Sequence, residues 1–360
     1  MRIDEDNTAS LSQIKARLQN LPRQEEIMAG WPVDQKAILG IACITYNHRK
    51  YIEDALSGFL TQKTHFRFEI VIHDDASTDG TADVLRYYQK EYPNLIRLIL
   101  QKENQHSKGK GMISLICKDM QDKYIAFCEG DDYWTDPYKL QTQVEALDNN
   151  PLIDMAIHPA LVINETNGTE SKHGVFRAES GIIPASEIFN KEFSVIPTAS
   201  TVVRKSVCDR FINFREKNSF LTVGDIYLQL LGADSGAVWY SSVLSGVYRQ
   251  FADGSWSNMK AESDTLKAKH LLSLMKGYNA IRGELSEDLQ KFTDYRQKIC
   301  LFRFSLLYKI SAIEKLRTVS IYHSFLSLSE KIIVFSLCVM PSFLLTFFAS
   351  IGRQVRKIKN

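Results

Sequence analysis

The sequence predicts an α/β fold: a mostly parallel central sheet, flanked by helices, of the nucleotide-binding kind, followed by a helical C-terminal extension. Three observations carry this expectation. From residue 37 on, continuous apolar runs alternate with amphipathic segments, the pattern of parallel strands buried on both faces. The C-terminal ends of these runs collect polar and acidic residues, and open parallel sheets bind their ligands at those ends. After Pro197 the next proline is Pro341, and residues 261–331 between them are dense in Leu, Lys, Glu and Ala, as helices are.

Taken in order, residues 1–35 form a polar lead-in in which Leu11, Ile14, Leu18 and Leu21 recur at helical spacing before Pro22. Residues 37–45 (AILGIACIT) read as a buried strand, 50–60 as a helix, and 68–73 (FEIVIH) as a second strand. A helix is expected over 81–91, strands over 95–100 and 124–128 (YIAFC) with a helical segment between them, and a further apolar strand over 243–247. This divides the chain into the lead-in, a main domain over 36–260, a helical extension over 261–331 and an apolar tail over 332–360 with a basic end.

Composition sets the outer limits. Hydrophobic residues make up 44% and charged residues 24%, enough to bury a sizeable core. A net charge of +2 is too balanced for a nucleic-acid-binding surface over the whole chain. The six cysteines (43, 117, 128, 208, 300 and 338) show no CxxC pair and fall mostly in apolar runs, so a reduced, cytosolic setting is expected rather than a disulfide framework or a zinc site. The polar, acidic N-terminus has no features of a secretory signal.

The chemistry is concentrated at three strand ends: Thr45-Tyr46-Asn47-His48, the run from His73 through Asp74, Asp75 and Asp79 to Thr81, and Glu129-Gly130-Asp131-Asp132. Acid-rich strand ends suit a hard divalent cation, Mg or Mn, that bridges phosphates. Asp74, Asp75 and Asp79 are equally at home as turn and cap residues. For Asp131 and Asp132 that reading is weaker, because adjacent like charges after a buried strand repel unless something offsets them.

Taken together, TYNHRKYIEDAL, FEIVIHDDASTDGT and YIAFCEGDDYWTDPYKLQ resemble the opening of the family 2 glycosyltransferases, which have the GT-A fold; the resemblance extends over residues 38–257. It implies an inverting, metal-dependent transfer from a nucleotide sugar. Thr45 and Tyr46 match residues that contact the base, and Asp75 the acid that hydrogen-bonds it. Asp131 and Asp132 match the DxD motif that contacts ribose or holds the metal against the diphosphate, with Glu129 in place of the usual first acid. Asn104 and the SKGKG loop match a stretch bordering the donor sugar, where Lys108 and Lys110 either meet phosphate or stand in solvent. Asp225, in LTVGDIY, matches the catalytic base, a role that can coexist with capping the helix it begins. Arg249 and Trp256 match a segment that closes over the diphosphate; the alternatives are an Arg paired with a surface acid and a core Trp. His158 reads as a packed residue, and no motif requires His48 or His73.

The tail, 332–351, is 20 residues without a charge, interrupted by Pro341 and followed by Arg353, Arg356, Lys357 and Lys359. Each half, if helical, reaches about 15 Å, half of the ~30 Å hydrocarbon core. A re-entrant hairpin kinked at Pro341 keeps both ends cytoplasmic, as the positive-inside preference asks. Phe302, Phe304, Leu306, Leu307 and Tyr308, interleaved with Arg303 and Lys309, read as an interfacial helix. The expected partners are therefore a nucleotide-sugar donor, a membrane surface and a lipid-linked (polyprenyl diphosphate) glycan acceptor. A nucleotidyltransferase-like enzyme and a non-catalytic scaffold of the same fold are the competing readings.

Overall fold

The computed structural model describes residues 19–33, 36–190, 195–253, 255, 264–307, 310–322 and 326–340. The amphipathic stretch 11–18, Trp256, Tyr308, Lys309, Pro341 and the basic end lie outside the described residues.

Among the described residues are twelve strands: β1 (Leu39–Thr45), β2 (Phe68–Asp74), β3 (Ile96–Leu100), β4 (Tyr124–Glu129), β5 (Tyr133–Trp134), β6 (Met155–Ile157), β7 (Ala160–Asn164), β8 (Glu170–His173), β9 (Gly181–Pro184), β10 (Val202–Arg204), β11 (Ala237–Tyr240) and β12 (Gly246–Gln250). The main sheet has eight strands in the order β3-β2-β1-β4-β10-β6-β11-β9, and β5-β12-β7-β8 form a smaller one. From β3 to β4 every pairing is parallel. Beyond β4 the sheet is mixed, because β10 runs antiparallel to both of its neighbours.

The helices among the described residues are α1 (Gln24–Met28), α2 (Ile52–Leu60), α3 (Thr81–Glu91), α4 (Met112–Lys118), α5 (Lys139–Asn149), α6 (Ala185–Ile188), α7 (Lys205–Lys217), α8 (Asp225–Ala233), α9 (Asp264–Arg282), α10 (Glu287–Ser305), α11 (Ala312–Tyr322) and α12 (Leu328–Val339). Each element expected between residues 37 and 130 is present, with boundaries shifted by a few residues. The strand expected over 243–247 is displaced to Gly246–Gln250. Val243 and Leu244 are exposed, and Ser241 and Ser245 hold the segment before it in a turn through hydrogen bonds to Val243. Apolar character alone did not place the strand; pairing with β7 and β5 did.

Side chains alternate along β1, as a pleated strand requires. Leu39, Ile41 and Cys43 enter a core shared with α2, α3 and α5, whereas Ala42 faces the opposite core. That second core runs without a break from the sheet through α7 and α8 into α9, α10 and α12, so the C-terminal helices share the main domain's hydrophobic interior. Phe304 is fully buried in it while Phe302 is exposed. The run expected to lie in an interface is therefore half absorbed into the core, and α10 ends at Ser305. All six cysteines are free and buried, in keeping with their expected role as small apolar residues. His158 is also buried, with Nδ1 2.9 Å from the Pro159 carbonyl; burial and nearby Lys139 hold it neutral, down to about 3.

Candidate active site

Parallel pairing puts the ends of three strands side by side. In the register Thr45 stands opposite Asp74, and Ile44 opposite Glu129. Two backbone hydrogen bonds continue past the ladder, from Asp75 N–H to the Thr45 carbonyl and from Gly130 N–H to the Ile44 carbonyl. The acidic segments are thereby fixed to the tip of β1. Gly130 has to be glycine here, since a Cβ would sit 2.7 Å from Thr45 Oγ1 and 3.0 Å from His48 Nδ1.

The acids then divide the work. Asp74 accepts from the Ser77 N–H and hydroxyl, and Asp79 accepts from Thr81 N–H and Oγ1 at the start of α3. Both are turn and cap residues, one of the two readings the sequence allowed. Asn47 and Ala76 adopt positive φ at adjoining tips, and Asn47 Oδ1 accepts from Thr78 N–H to tie those tips together. Asp75 instead reaches across to the next loop, accepting from the Gln105 and His106 N–H groups at 2.6 and 3.0 Å. Asn104 donates back to the Asp75 carbonyl and accepts from Ser107 N–H. The loop 104–111 is thus shaped by the acid that the resemblance matches to base recognition.

All these tips open into one cavity of about 890 Å³, within the range of small-molecule sites. Thr45, Tyr46, Asp75, Asn104, Lys110, Asp131, Asp225 and Arg249 all line it. Lys110 faces the cavity, whereas Lys108 is paired with Glu103 on the outside. The opposite wall is apolar, with Ile196, Pro197, Phe220, Leu221 and Val223. Asp225 arrives there because α8 begins at it, one residue after the N-cap Gly224. It is therefore a first-turn residue rather than the cap itself, a position in which the helix dipole favours a carboxylate.

Asp132 does not line the cavity. It lies behind the wall, 1% exposed, where Oδ1 accepts from Arg249 N–H at 2.9 Å. Arg249 is equally committed: its guanidinium donates to the Asp131 carbonyl and to Asp54 at 2.5 Å, and lies 3.4 Å from Glu165. The rings of Tyr51 and Tyr133 lie 5.1 and 4.6 Å from it. This is the acid-paired alternative for Arg249, although the residue still borders the cavity.

Negative charge accumulates at the site. Burial, then Asp131 and Asp225, pushes Glu129 up to about 8. Burial, then Asp131 and Glu129, pushes Asp132 well above the carboxylate range, and its buried Oδ2 has no hydrogen-bond partner among the described residues. The Tyr248 phenol is raised by burial and by these carboxylates and Asp225. Among the described residues no three metal-ligating side chains are gathered closely enough to hold an ion by themselves. A pocket lined by the carboxylates of Glu129, Asp131 and Asp225 still fits a hard divalent cation whose remaining ligands come from an anionic substrate.

Three cavity residues are given no role by the sequence motifs. His48 lies 3.8 Å from Asp131 Oδ1, and its buried Nδ1 has no hydrogen-bond partner among the described residues. Tyr248 and Arg215 are brought in by β12 and α7, more than a hundred residues from the first strand tip.

Comparison with known proteins agrees with this architecture. Residues 41–210 match the model of glycosyl transferase family 2. Protein Rv1520 of Mycobacterium tuberculosis is 34% identical over 226 residues, which is 61% of this chain and 60% of that one. The Escherichia coli UDP-Glc:alpha-D-GlcNAc-diphosphoundecaprenol beta-1,3-glucosyltransferase WfaP is 30% identical over 111 residues, covering 31% of this chain and 41% of that one. The chain thus spans about 60% or less of the length of these curated relatives. The crystal structure of S. aureus TarS 1–349 in complex with UDP-GlcNAc superposes with a TM-score of 0.57 at 16% identity, over 81% of this chain and 82% of that one, and shares its fold. Residues 41–210 thus match glycosyl transferase family 2, and the sheet that carries them has the GT-A fold.

Proposed function

We propose that the chain transfers a sugar, with inversion, from a uridine diphosphate sugar to a membrane-proximal, polyprenyl-diphosphate-linked glycan in surface-polysaccharide assembly, using Mg or Mn. The observation that carries this reading is the meeting of Asp75, Asp131 and Asp225, from three distant parts of the chain, on one cavity. The diphosphate donor named for TarS and the diphosphoundecaprenol acceptor named for WfaP support the choice of substrates.

In this reading Thr45, Tyr46, Asp75 and Asn104 wall the nucleotide, and Lys110 faces its phosphates. Asp131 is the cavity-facing ligand of the cation, and Asp132 holds the segment behind it. The cation, when bound, offsets the charge that develops on the departing diphosphate. Asp225 takes the proton of the acceptor hydroxyl as its oxygen bonds to the anomeric carbon and the bond from that carbon to the diphosphate oxygen breaks. The test follows nucleoside diphosphate release from a panel of nucleotide sugars, with and without Mn and a membrane-lipid extract. Metal-dependent, extract-stimulated release from one donor is expected. Silence with every donor in the presence of the extract rejects the reaction.

Membrane attachment is proposed at the C-terminal helices. Leu328, Ile332, Phe335 and Val339 recur at helical spacing along α12 and are 76, 61, 39 and 62% exposed, with Val334 and Cys338 buried on the other side. Ile313 and Ile321 of α11 are exposed as well. No helix among the described residues is long and apolar enough to cross a membrane. An outward apolar stripe that leads in sequence to the apolar run and the basic end suits a cytoplasmic membrane face carrying anionic lipid. The full chain is expected to float with anionic vesicles and the Ile332→Asp, Phe335→Asp double variant to stay at the bottom of the gradient. Equal flotation of the two would exclude this stripe.

A further inference from the structure

Arg215 stands near the end of α7, 7% exposed, and forms no ion pair among the described residues. Its guanidinium donates to three backbone carbonyls instead. Nη1 meets Asn218 O at 2.9 Å, and Nη2 meets Gly109 O at 2.9 Å and Leu221 O at 3.0 Å. Two of these carbonyls belong to the loop that leads into Asp225, and the third belongs to the loop 104–111 that Asp75 shapes from its other end. Both loops line the cavity.

We infer that Arg215 is a positioning residue, a clamp that sets the distance between the donor-side loop 104–111 and the Asp225-bearing loop, and that this distance governs whether the sugar passes to an acceptor or to water. The inference rests on the proposed reaction. A planar fork with several donors in fixed directions can hold carbonyls of two loops at once, which a single ammonium at the end of a flexible stem does poorly. Burying a cation on neutral carbonyls, with no carboxylate to repay its desolvation, is unfavourable for folding alone. Such an arrangement is retained where the position it fixes matters. The loops have separate outer anchors: Thr222 N–H donates to Ser273 Oγ, whereas Gln105 and His106 donate to Asp75. Loss of Arg215 therefore changes their mutual placement before either loop is lost.

Gly111 supplies an independent handle on the same contact. Its φ of −84° and ψ of 113° suit any residue, so alanine strains no backbone there. An added Cβ would lie 2.7 Å from Arg215 Nε and 3.0 Å from Ser114 Oγ, displacing the guanidinium without removing its charge.

The experiment compares wild type, Arg215→Lys and Gly111→Ala by hydrogen exchange and, with the donor found active, by the ratio of transfer to donor hydrolysis. Both variants are expected to speed exchange in 105–111 and 218–224 together. The transfer-to-hydrolysis ratio is expected to fall roughly ten- to a hundredfold, the scale of an ångström-size misplacement, with donor affinity within about threefold of wild type. The double variant should be little worse than either single one, because both remove one interaction. Faster exchange with an unchanged ratio, or no change in exchange, overturns the clamp. A wild type that transfers no sugar rejects the reaction itself, while exchange in the two loops still reports whether Arg215 couples them.

Discussion

Asp225→Asn is expected to cut transfer to acceptor by about a hundred- to ten-thousandfold, the range for loss of a general base, with donor binding retained. The amide has the shape of the carboxylate and keeps its place in the first turn of α8, but it cannot take the acceptor proton. The helix loses the dipole contribution of one first-turn charge, about 0.3–1 kcal/mol, too little to unfold the variant. Gly224 provides the N-cap and its carbonyl receives the Leu228 N–H, so helix initiation does not depend on the residue that is changed. Single-turnover transfer at saturating donor, alongside calorimetric donor binding, makes the separation. A rate within threefold of wild type would remove Asp225 from the base role and return it to helix stabilisation.

Arg249→Met should act through stability. The side chain is 11% exposed, and its removal takes the guanidinium away from Asp54 and Glu165, 27% and 22% exposed, and from the Asp131 carbonyl. Removing one partner of a largely buried ion pair leaves the other charges poorly compensated; with these acids partly exposed and Lys50 still 3.7 Å from Glu165, a loss of about 2–4 kcal/mol is expected. Arg249→Lys should recover only part of it, because an ammonium cannot serve Asp54, Glu165 and the Asp131 carbonyl while packed between two tyrosine rings. Asp131 should shift with its carbonyl, so the metal concentration needed for half-maximal activity is expected to rise. Thermal unfolding and metal titration are the measurements. Unchanged unfolding with weakened donor binding would instead make Arg249 a phosphate ligand, the role its sequence context first suggested.

The two residues differ in how much of their role could be read from the chain. For Asp225 the local sequence suffices to place it in the first turn of a helix: an acid begins an apolar helical pattern after Gly224. For Arg249 it does not suffice. The sequence places an arginine after an apolar run, yet its partners Asp54 and Glu165 lie far off in the chain. Asp132 is a similar case. Its neighbour Asp131 faces the cavity while Asp132 points behind it, so two adjacent acids of one motif take different surroundings.

The sequence by itself determined the parallel half of the sheet, because strands buried on both faces must be apolar throughout and their helices must alternate with them. It also located the acidic strand ends, since ligand-binding residues in such sheets follow the carboxyl ends of strands. Only the tertiary structure decided the mixed half from β10 onward, the displacement of β12, the pairing of Arg249 and the approach of Arg215 to Gly109. Those features rest on contacts between residues far apart in the chain, where a three-residue strand such as β10 carries almost no periodicity. The physical reason is one of range: local pattern encodes which face of an element is apolar, whereas close approach of two loops depends on how whole elements pack.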